Sequence, residues 1–179
     1  IMRCSTRYML RLWTVKPMYS IYDYGRMFAD GPRIRAYAAA LEQIIGPKSV
    51  VVDIGTGTGI FALLACKYGA ARVYAIETDD AIQVAAQIAR DNGYADRIQF
   101  IQSSSNRVTL PEQADVIVSD LRGALPLYSQ HIHAIMDARR RFLKPDGVLI
   151  PLRDTLFAAL INTPSSYAAY SDVWDSFGL

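Results

Sequence analysis

The chain has 179 residues, 51% hydrophobic and 20% charged, with a formal net charge of +2, a length and balance that suit one soluble globular domain with a substantial core. The charge is too small and too scattered to argue for nucleic acid or an anionic membrane surface as a partner. No apolar run approaches the roughly 18 to 20 residues needed to span a bilayer.

The N-terminal IMRCSTRYMLRLWTVK lacks the apolar core of a secretory signal. Arg3, Arg7 and Arg11 recur every four positions; they read first as one solvated face of a short helix, and second as a weak organelle-targeting pattern. Next, Asp30-Gly31-Pro32 offers an N-cap and a first-turn proline, and Tyr37, Leu41 and Ile45 continue at helical spacing until Gly46-Pro47 stops them. Ser49 to Ile54 reads as a buried strand, Ile60 to Tyr68 as a helix, Arg72 to Glu77 as a second strand, and Asp80 to Asn92 as a helix closed by Gly93. Arg97 to Gln102 and Ala114 to Ser119 are the third and fourth strands. A long helix is expected over Leu127 to Phe142, closed by Lys144-Pro145-Asp146-Gly147, then a fifth strand over Val148 to Pro151 and a sixth over Thr155 to Ile161. This alternation predicts an α/β, Rossmann-like fold: a mostly parallel twisted sheet with helices on both faces and ligands at the carboxyl ends of the strands. Cys4 and Cys66 lie far apart without CxxC spacing, and Cys66 falls on an apolar helical face. A buried thiol is expected rather than a disulfide or metal ligand, in a reducing and cytoplasmic setting.

The first strand hands over to a helix through Asp53-x-Gly55-x-Gly57-x-Gly59. Glycines let the backbone turn sharply and approach a ligand with no Cβ in the way, and the following helix presents free N–H groups. Eighteen residues after Gly59, Glu77 closes the second strand, where a carboxylate can accept both hydroxyl protons of a ribose. Thr56 within the turn and Thr78 after Glu77 join the candidate cofactor-binding residues. Two cofactors compete for this pattern. Gly57-Thr58-Gly59-Ile60-Phe61-Ala62 satisfies the weaker dinucleotide motif, so an NAD-dependent oxidoreductase stays open. That window begins one dipeptide late, however. An acid ahead of three alternating glycines better suits S-adenosyl-L-methionine, which carries an ammonium to neutralise and has no pyrophosphate to seat.

Four blocks then carry a resemblance: YGRMFADGPRIRAY, VVDIGTGTGIFALLACKYGAARVYAIE, VIVSDLRG and ARRRFLKPDGVLIPLRDTLFAAL. From about Tyr19 onward the chain resembles the class I S-adenosylmethionine-dependent methyltransferases, specifically the catalytic core of the protein arginine methyltransferases. The resemblance implies that Glu77 holds the ribose hydroxyls, Arg33 the donor's carboxylate, Asp53 and the glycine backbone its amino-acid end, and Asn106 the adenine edge. It also implies that Met27, Tyr22 and Tyr24 belong to a lid beside the sulfonium. Three regions follow: 1–29 as N-terminal segment and lid, 30–163 as the methyltransferase domain, and 164–179 as a tail.

The sequence departs from that family where the acceptor would bind. The family's Ser-Glu-Trp-Met-Gly loop, with a second glutamate nine residues on, clamps a guanidinium between two carboxylates. Here the loop is Ser119-Asp120-Leu121-Arg122-Gly123 and the second position is Ser129. One acid is shortened, the other is missing, and Arg122 adds a charge that repels a guanidinium. Asp120 is the candidate base or orienting acceptor. Arg122 is expected either to attract an acidic acceptor or to pair with Asp120 and hold the loop. The acceptor, a small molecule or a protein, is not identified. His131 and His133, two apart on a helix, make no metal pair and read as structural or rim residues. Arg139-Arg140-Arg141 reads as a solvated helix end. The closing SDVWDSFGL resembles the approach to the family's β-barrel, so the chain is expected to be a minimal core or a piece of a longer protein. A catalytically idle S-adenosylmethionine-binding module is the remaining alternative.

Overall fold

A parallel strand covered on both faces is apolar at nearly every position. Val50–Ile54 (β1) and Arg72–Glu77 (β2) follow that pattern, every residue but Arg72 being buried. With Ile98–Gln102 (β3), Ala114–Ser119 (β4) and Leu143–Ile150 (β5) they form a five-stranded sheet in the order β3-β2-β1-β4-β5, every pair parallel. The computed structural model describes residues 19–122, 131–160, 162–165 and 168. Arg3, Cys4, Arg7, Arg11 and Ser129, the expected helical residues before His131, and most of the 164–179 tail lie outside them.

Five helices are described: Ile21–Ala29 (α1), Gly31–Ile44 (α2), Ile60–Lys67 (α3), Ala81–Asp91 (α4) and His131–Phe142 (α5). Asp30 caps α2 by accepting from the Arg33 N–H at 3.3 Å, with Pro32 in the first turn. One face of the sheet places Val51, Val73 and Val118 against Leu41 of α2 and Phe61, Ala65 and Cys66 of α3. On the other face Val52, Tyr74 and Ile117 meet Ala138 and Phe142 of α5. The strand order turns back at β1, so a crevice opens between the carboxyl ends of β1 and β4, where Ile54 pairs with Ser119. Among the described residues no helix is long and apolar enough to cross a membrane.

Four features differ from the sequence-based expectation. Helix α1 has its own capping box, with Ser20 N–H donating to Asp23 Oδ2 at 2.9 Å and Asp23 N–H to Ser20 Oγ at 3.2 Å; the Ser-x-x-Asp spacing is its sequence signal. Strand β5 begins at Leu143, not Val148. Its register jumps from Ala114↔Leu143 to Val116↔Val148, so Lys144 to Gly147 loop out within the strand. Pro145 has no N–H for a ladder, and Lys144 Nζ anchors the excursion on Asp115 at 2.6 Å. Among the described residues the expected sixth strand does not form: residues 155–160 pair with no described strand, and Phe157 and Leu160 stand 92% and 106% exposed. β-propensity reflects packing on a sheet rather than an intrinsic backbone preference, and these exposed side chains pack on none. Finally, Arg141 is not a solvated helix end. It donates to Val108 O at 2.7 Å and Ser105 O at 2.8 Å and pairs with Asp137, tying α5 to the turn after β3.

Candidate functional site

The turn after β1 places Gly55 and Gly57 at φ +75° and +54°, in the left-handed region that favours glycine. Both also lie under a neighbouring side chain. A Cβ on Gly55 would fall 2.3 Å from Leu121 Cδ2, and one on Gly57 would fall 2.5 Å from Tyr24 Cε1. Gly59 ends the turn at the N-terminus of α3.

Two buried carboxylates brace this turn in different ways. Glu77, at the end of β2, accepts the Gly57 N–H on Oε2 at 3.0 Å. Its Oε1 accepts from Thr78 N at 2.7 Å, Asp79 N at 3.0 Å and Thr78 Oγ1 at 3.1 Å. A carboxylate oxygen offers about two lone pairs, so spare accepting capacity remains on Oε2. Asp53 is fully buried and turned toward α3, its Oδ2 accepting from Thr56 Oγ1 at 2.6 Å and Ala62 N at 3.0 Å. Its Oδ1 is buried without a partner among the described residues. Burial pushes the Asp53 carboxyl up to about 7, against the two hydrogen bonds that hold it down.

A cavity of about 180 Å³ opens where the turn meets β2. Gly55, Glu77 and Thr78 form one wall, Ser103, Ser104 and Ser105 a second, and Leu121 and His131 stand across them. Asn106, beside Ser105 on a 3-10 turn, is exposed and does not line the cavity. A donor and acceptor wall next to a buried carboxylate suits a ribose and a purine. The volume lies below the roughly 300–1,000 Å³ of small-molecule sites. Leu121 and Tyr24 occupy the space over the glycine turn, so a nucleoside with an amino-acid arm fits this chemistry once those two side chains withdraw. Tyr24 is buried, its hydroxyl pushed well above the ordinary tyrosine range by burial and then by Glu77 and Asp79. Met27 is half-buried and Tyr22 is 75% exposed.

Across β1 and β4, the candidate acceptor residues Asp120 and Arg122 each pair with another part of the chain. Arg33 pairs with Asp120 through Nη1 and donates from Nη2 to Met27 O at 2.5 Å. Tyr37 Oη donates to Asp120 Oδ1 at 3.0 Å, a contact reached from the other end of the chain and unannounced by any local motif. Arg122 pairs with Asp154 at 2.5 Å rather than with Asp120. Of the two readings of His131, structural or rim, its 8% exposure excludes the rim; it lines the cavity and has an unpartnered Nδ1 among the described residues. Burial, and then Arg122, holds it below the ordinary histidine range. His133 is exposed. No group of three or more His, Cys, Asp or Glu residues able to hold a metal occurs among the described residues.

Comparison with known proteins matches residues 36–151 to the family described as ribosomal protein L11 methyltransferase (PrmA). The chain is 34% identical over 150 residues to a probable protein arginine N-methyltransferase 6 of Arabidopsis thaliana, covering 83% of this chain and 34% of that protein. It is 37% identical over 147 residues to protein arginine N-methyltransferase PRMT10 of Oryza sativa subsp. japonica, covering 80% and 38%. The chain thus spans little more than a third of the length of these relatives. Among solved structures, Arabidopsis thaliana protein arginine methyltransferase 10 superposes with a TM-score of 0.69 at 32% identity, covering 73% of this chain and 38% of the other. The Trypanosoma brucei PRMT1 enzyme-prozyme heterotetramer with AdoHcy follows at 0.67 and 30%, covering 70% and 40%.

Proposed function

The chain belongs to the ribosomal protein L11 methyltransferase (PrmA) family of class I methyltransferases, and on that premise we propose that it is an S-adenosyl-L-methionine-dependent methyltransferase whose acceptor is not an arginine guanidinium. The observation that carries the donor half is the buried Glu77 carboxylate, hydrogen-bonded to Gly57 at the head of a serine-walled cavity. Glu77 Oε2 takes the ribose hydroxyls and the backbone of Gly55, Thr56, Gly57 and Gly59 receives the amino-acid arm. Arg33 serves its carboxylate, and the turn carrying Ser105 and Asn106 faces the adenine edge, next to Thr78. Asp53 acts from beneath, fixing the turn to α3 rather than touching the ligand. When bound, S-adenosyl-L-methionine supplies a sulfonium-activated methyl carbon, and the carbon–sulfur electron pair stays on sulfur when an acceptor displaces it. Tyr24 and Met27 on α1 then exclude water from above the turn.

The acceptor half is argued from charge pairing. Gripping a guanidinium takes carboxylates whose charge is not already balanced by an arginine. Asp120 is engaged by Arg33 and Tyr37, and Asp154 by Arg122. Each acid is therefore already matched by an arginine of this chain, and an incoming cation meets Arg33 and Arg122 instead. The same pairing, with Leu121 and Tyr24 over the turn, favours a second reading as a donor-binding module without turnover.

Calorimetric titration with S-adenosylhomocysteine and with NAD tests the donor half. Binding of the former alone is expected; a preference for NAD sinks it. Labelled donor supplied with a glycine-arginine-rich peptide and with a library of neutral metabolites tests the acceptor half, and efficient labelling of the peptide overturns it.

A further inference from the structure

His131 is the first described residue of α5 and lines the cavity that holds Glu77 and the serine wall. Among the described residues that line this cavity two are titratable, Glu77 and His131, and they differ. Glu77 is bonded on both oxygens. The His131 Nδ1 is buried with no hydrogen-bond partner among the described residues. Leaving a buried polar atom unmet is costly, so this site favours an incoming group that meets the imidazole. His131 shares this cavity with Leu121, from the loop where an acceptor arrives, and the charges acting on the ring are Arg122, Asp154 and Asp120. Burial and Arg122 outweigh the two acids, and the ring is held neutral at pH 7, with one nitrogen free to accept. Asp120, by contrast, is committed to Arg33 and Tyr37.

We propose that His131 accepts the hydrogen bond, and then the proton, of the group that receives the methyl, and that this group is an uncharged O–H or N–H. The inference rests on the methyltransferase reading above and assigns to His131 the role that sequence gave to Asp120. As the acceptor's lone pair becomes the new bond to carbon, its own hydrogen turns acidic. The O–H or N–H bond breaks with its electrons left on the acceptor atom. The proton passes to the imidazole, which becomes imidazolium and returns it to water. A guanidinium or ammonium acceptor suits this site poorly, because it adds a second cation, beside Arg122 and Arg33, to the one that the donor's sulfonium, or sinefungin's amine in its place, already brings.

The test needs no acceptor. Sinefungin carries a primary amine in place of the donor's S-methyl group, whereas S-adenosylhomocysteine carries nothing there, so the ratio of their affinities reports what faces the methyl position. In the wild-type protein this ratio should favour sinefungin at about pH 8 and fall as His131 takes up a proton toward about pH 5, because imidazolium repels the amine. Groups acting on the shared amino-acid and nucleoside parts, Glu77 and Asp53 included, cancel in the ratio. His131→Phe should lower the ratio about tenfold, the scale of a charge-assisted hydrogen bond, and flatten its pH dependence; His131→Gln should restore part of it. A pH-independent wild-type ratio, or equal weakening of both ligands by His131→Phe, overturns the inference alone. Failure of the wild-type protein to bind either ligand overturns the methyltransferase reading and this inference with it.

Discussion

Glu77 meets three donors through Oε1 but only the Gly57 N–H through Oε2, and that imbalance leaves room for a ligand hydroxyl on one oxygen. Glu77→Ala should weaken S-adenosylhomocysteine binding by about 1 to 3 kcal/mol, the worth of a hydrogen bond to a charged group; equal affinities by calorimetry would remove the ribose role. Asp53 predicts a different effect. Its carboxyl rises from 3.8 to about 7 on folding, so between those values the folded chain holds a proton that the unfolded chain has lost, and its contribution to stability falls as pH rises. Replacing it by the neutral Asp53→Asn removes that slope. The stability difference, variant minus wild type, measured by urea unfolding, should be flat below about pH 4, climb toward about pH 7 and level off above it; a difference that falls over that window contradicts the raised carboxyl. The Asp53, glycine and Glu77 set was legible in the sequence because a strand-turn-helix motif encodes its own geometry within a few residues. Arg33–Asp120, Tyr37–Asp120 and Arg122–Asp154 were not, because such pairs depend on how separate elements converge at the sheet's carboxyl edge.

Periodicity exposed the elements well where burial on the sheet enforces a pattern: β1, β2 and β4 lie within a residue of their expected bounds, and so do α2, α3 and α4. It failed where the deciding partner lies elsewhere. Residues 155–160 have strand-like composition yet stay exposed and join neither outer edge of the sheet, while α1 owes its start to a capping box on a mostly exposed segment. Arg141 belongs to the same class, since nothing in an Arg-Arg-Arg run tells which guanidinium reaches back to the carbonyls of Ser105 and Val108. That arginine joins α5 to the turn whose Ser105 lines the cavity. Arg141→Met should therefore cost about 1 to 3 kcal/mol of stability, through unmet carbonyls and an Asp137 left with only the long contact to Arg140. It should also weaken S-adenosylhomocysteine binding, because Ser105 loses its support. Arg140→Met, whose guanidinium contacts only Asp137 at 3.5 Å and is 80% exposed, should leave both within about 0.5 kcal/mol. Equal effects from the two variants, read by denaturant unfolding and calorimetry, would contradict the tie.

At the scale of the whole molecule, the sheet and the lid respond to a ligand in different ways. The strands carry the fully buried side chains Val51, Val52, Val73, Tyr74 and Val116, whose amides exchange only when the whole domain opens. Helix α1 buries little beyond Tyr24 and meets the site where that ring covers Gly57 and where Met27 O accepts from Arg33, which places it at the low-stability end of the fold. A ligand that binds only the folded chain stabilises it by RT ln(1 + [L]/Kd), about 2.7 kcal/mol at a hundredfold excess over Kd. Hydrogen exchange should therefore slow about a hundredfold at β1 and β2 amides when S-adenosylhomocysteine is present at that excess. Seating the ligand first displaces Tyr24 and Leu121 from the glycine turn, so the outcome at α1 depends on whether the helix closes again over it. If Tyr24 and Met27 act as a lid, α1 amides gain protection along with the sheet. Slower exchange at β1 and β2, with α1 unchanged or faster, would show that the ligand enters by pushing the helix aside, and would remove both residues from the donor site.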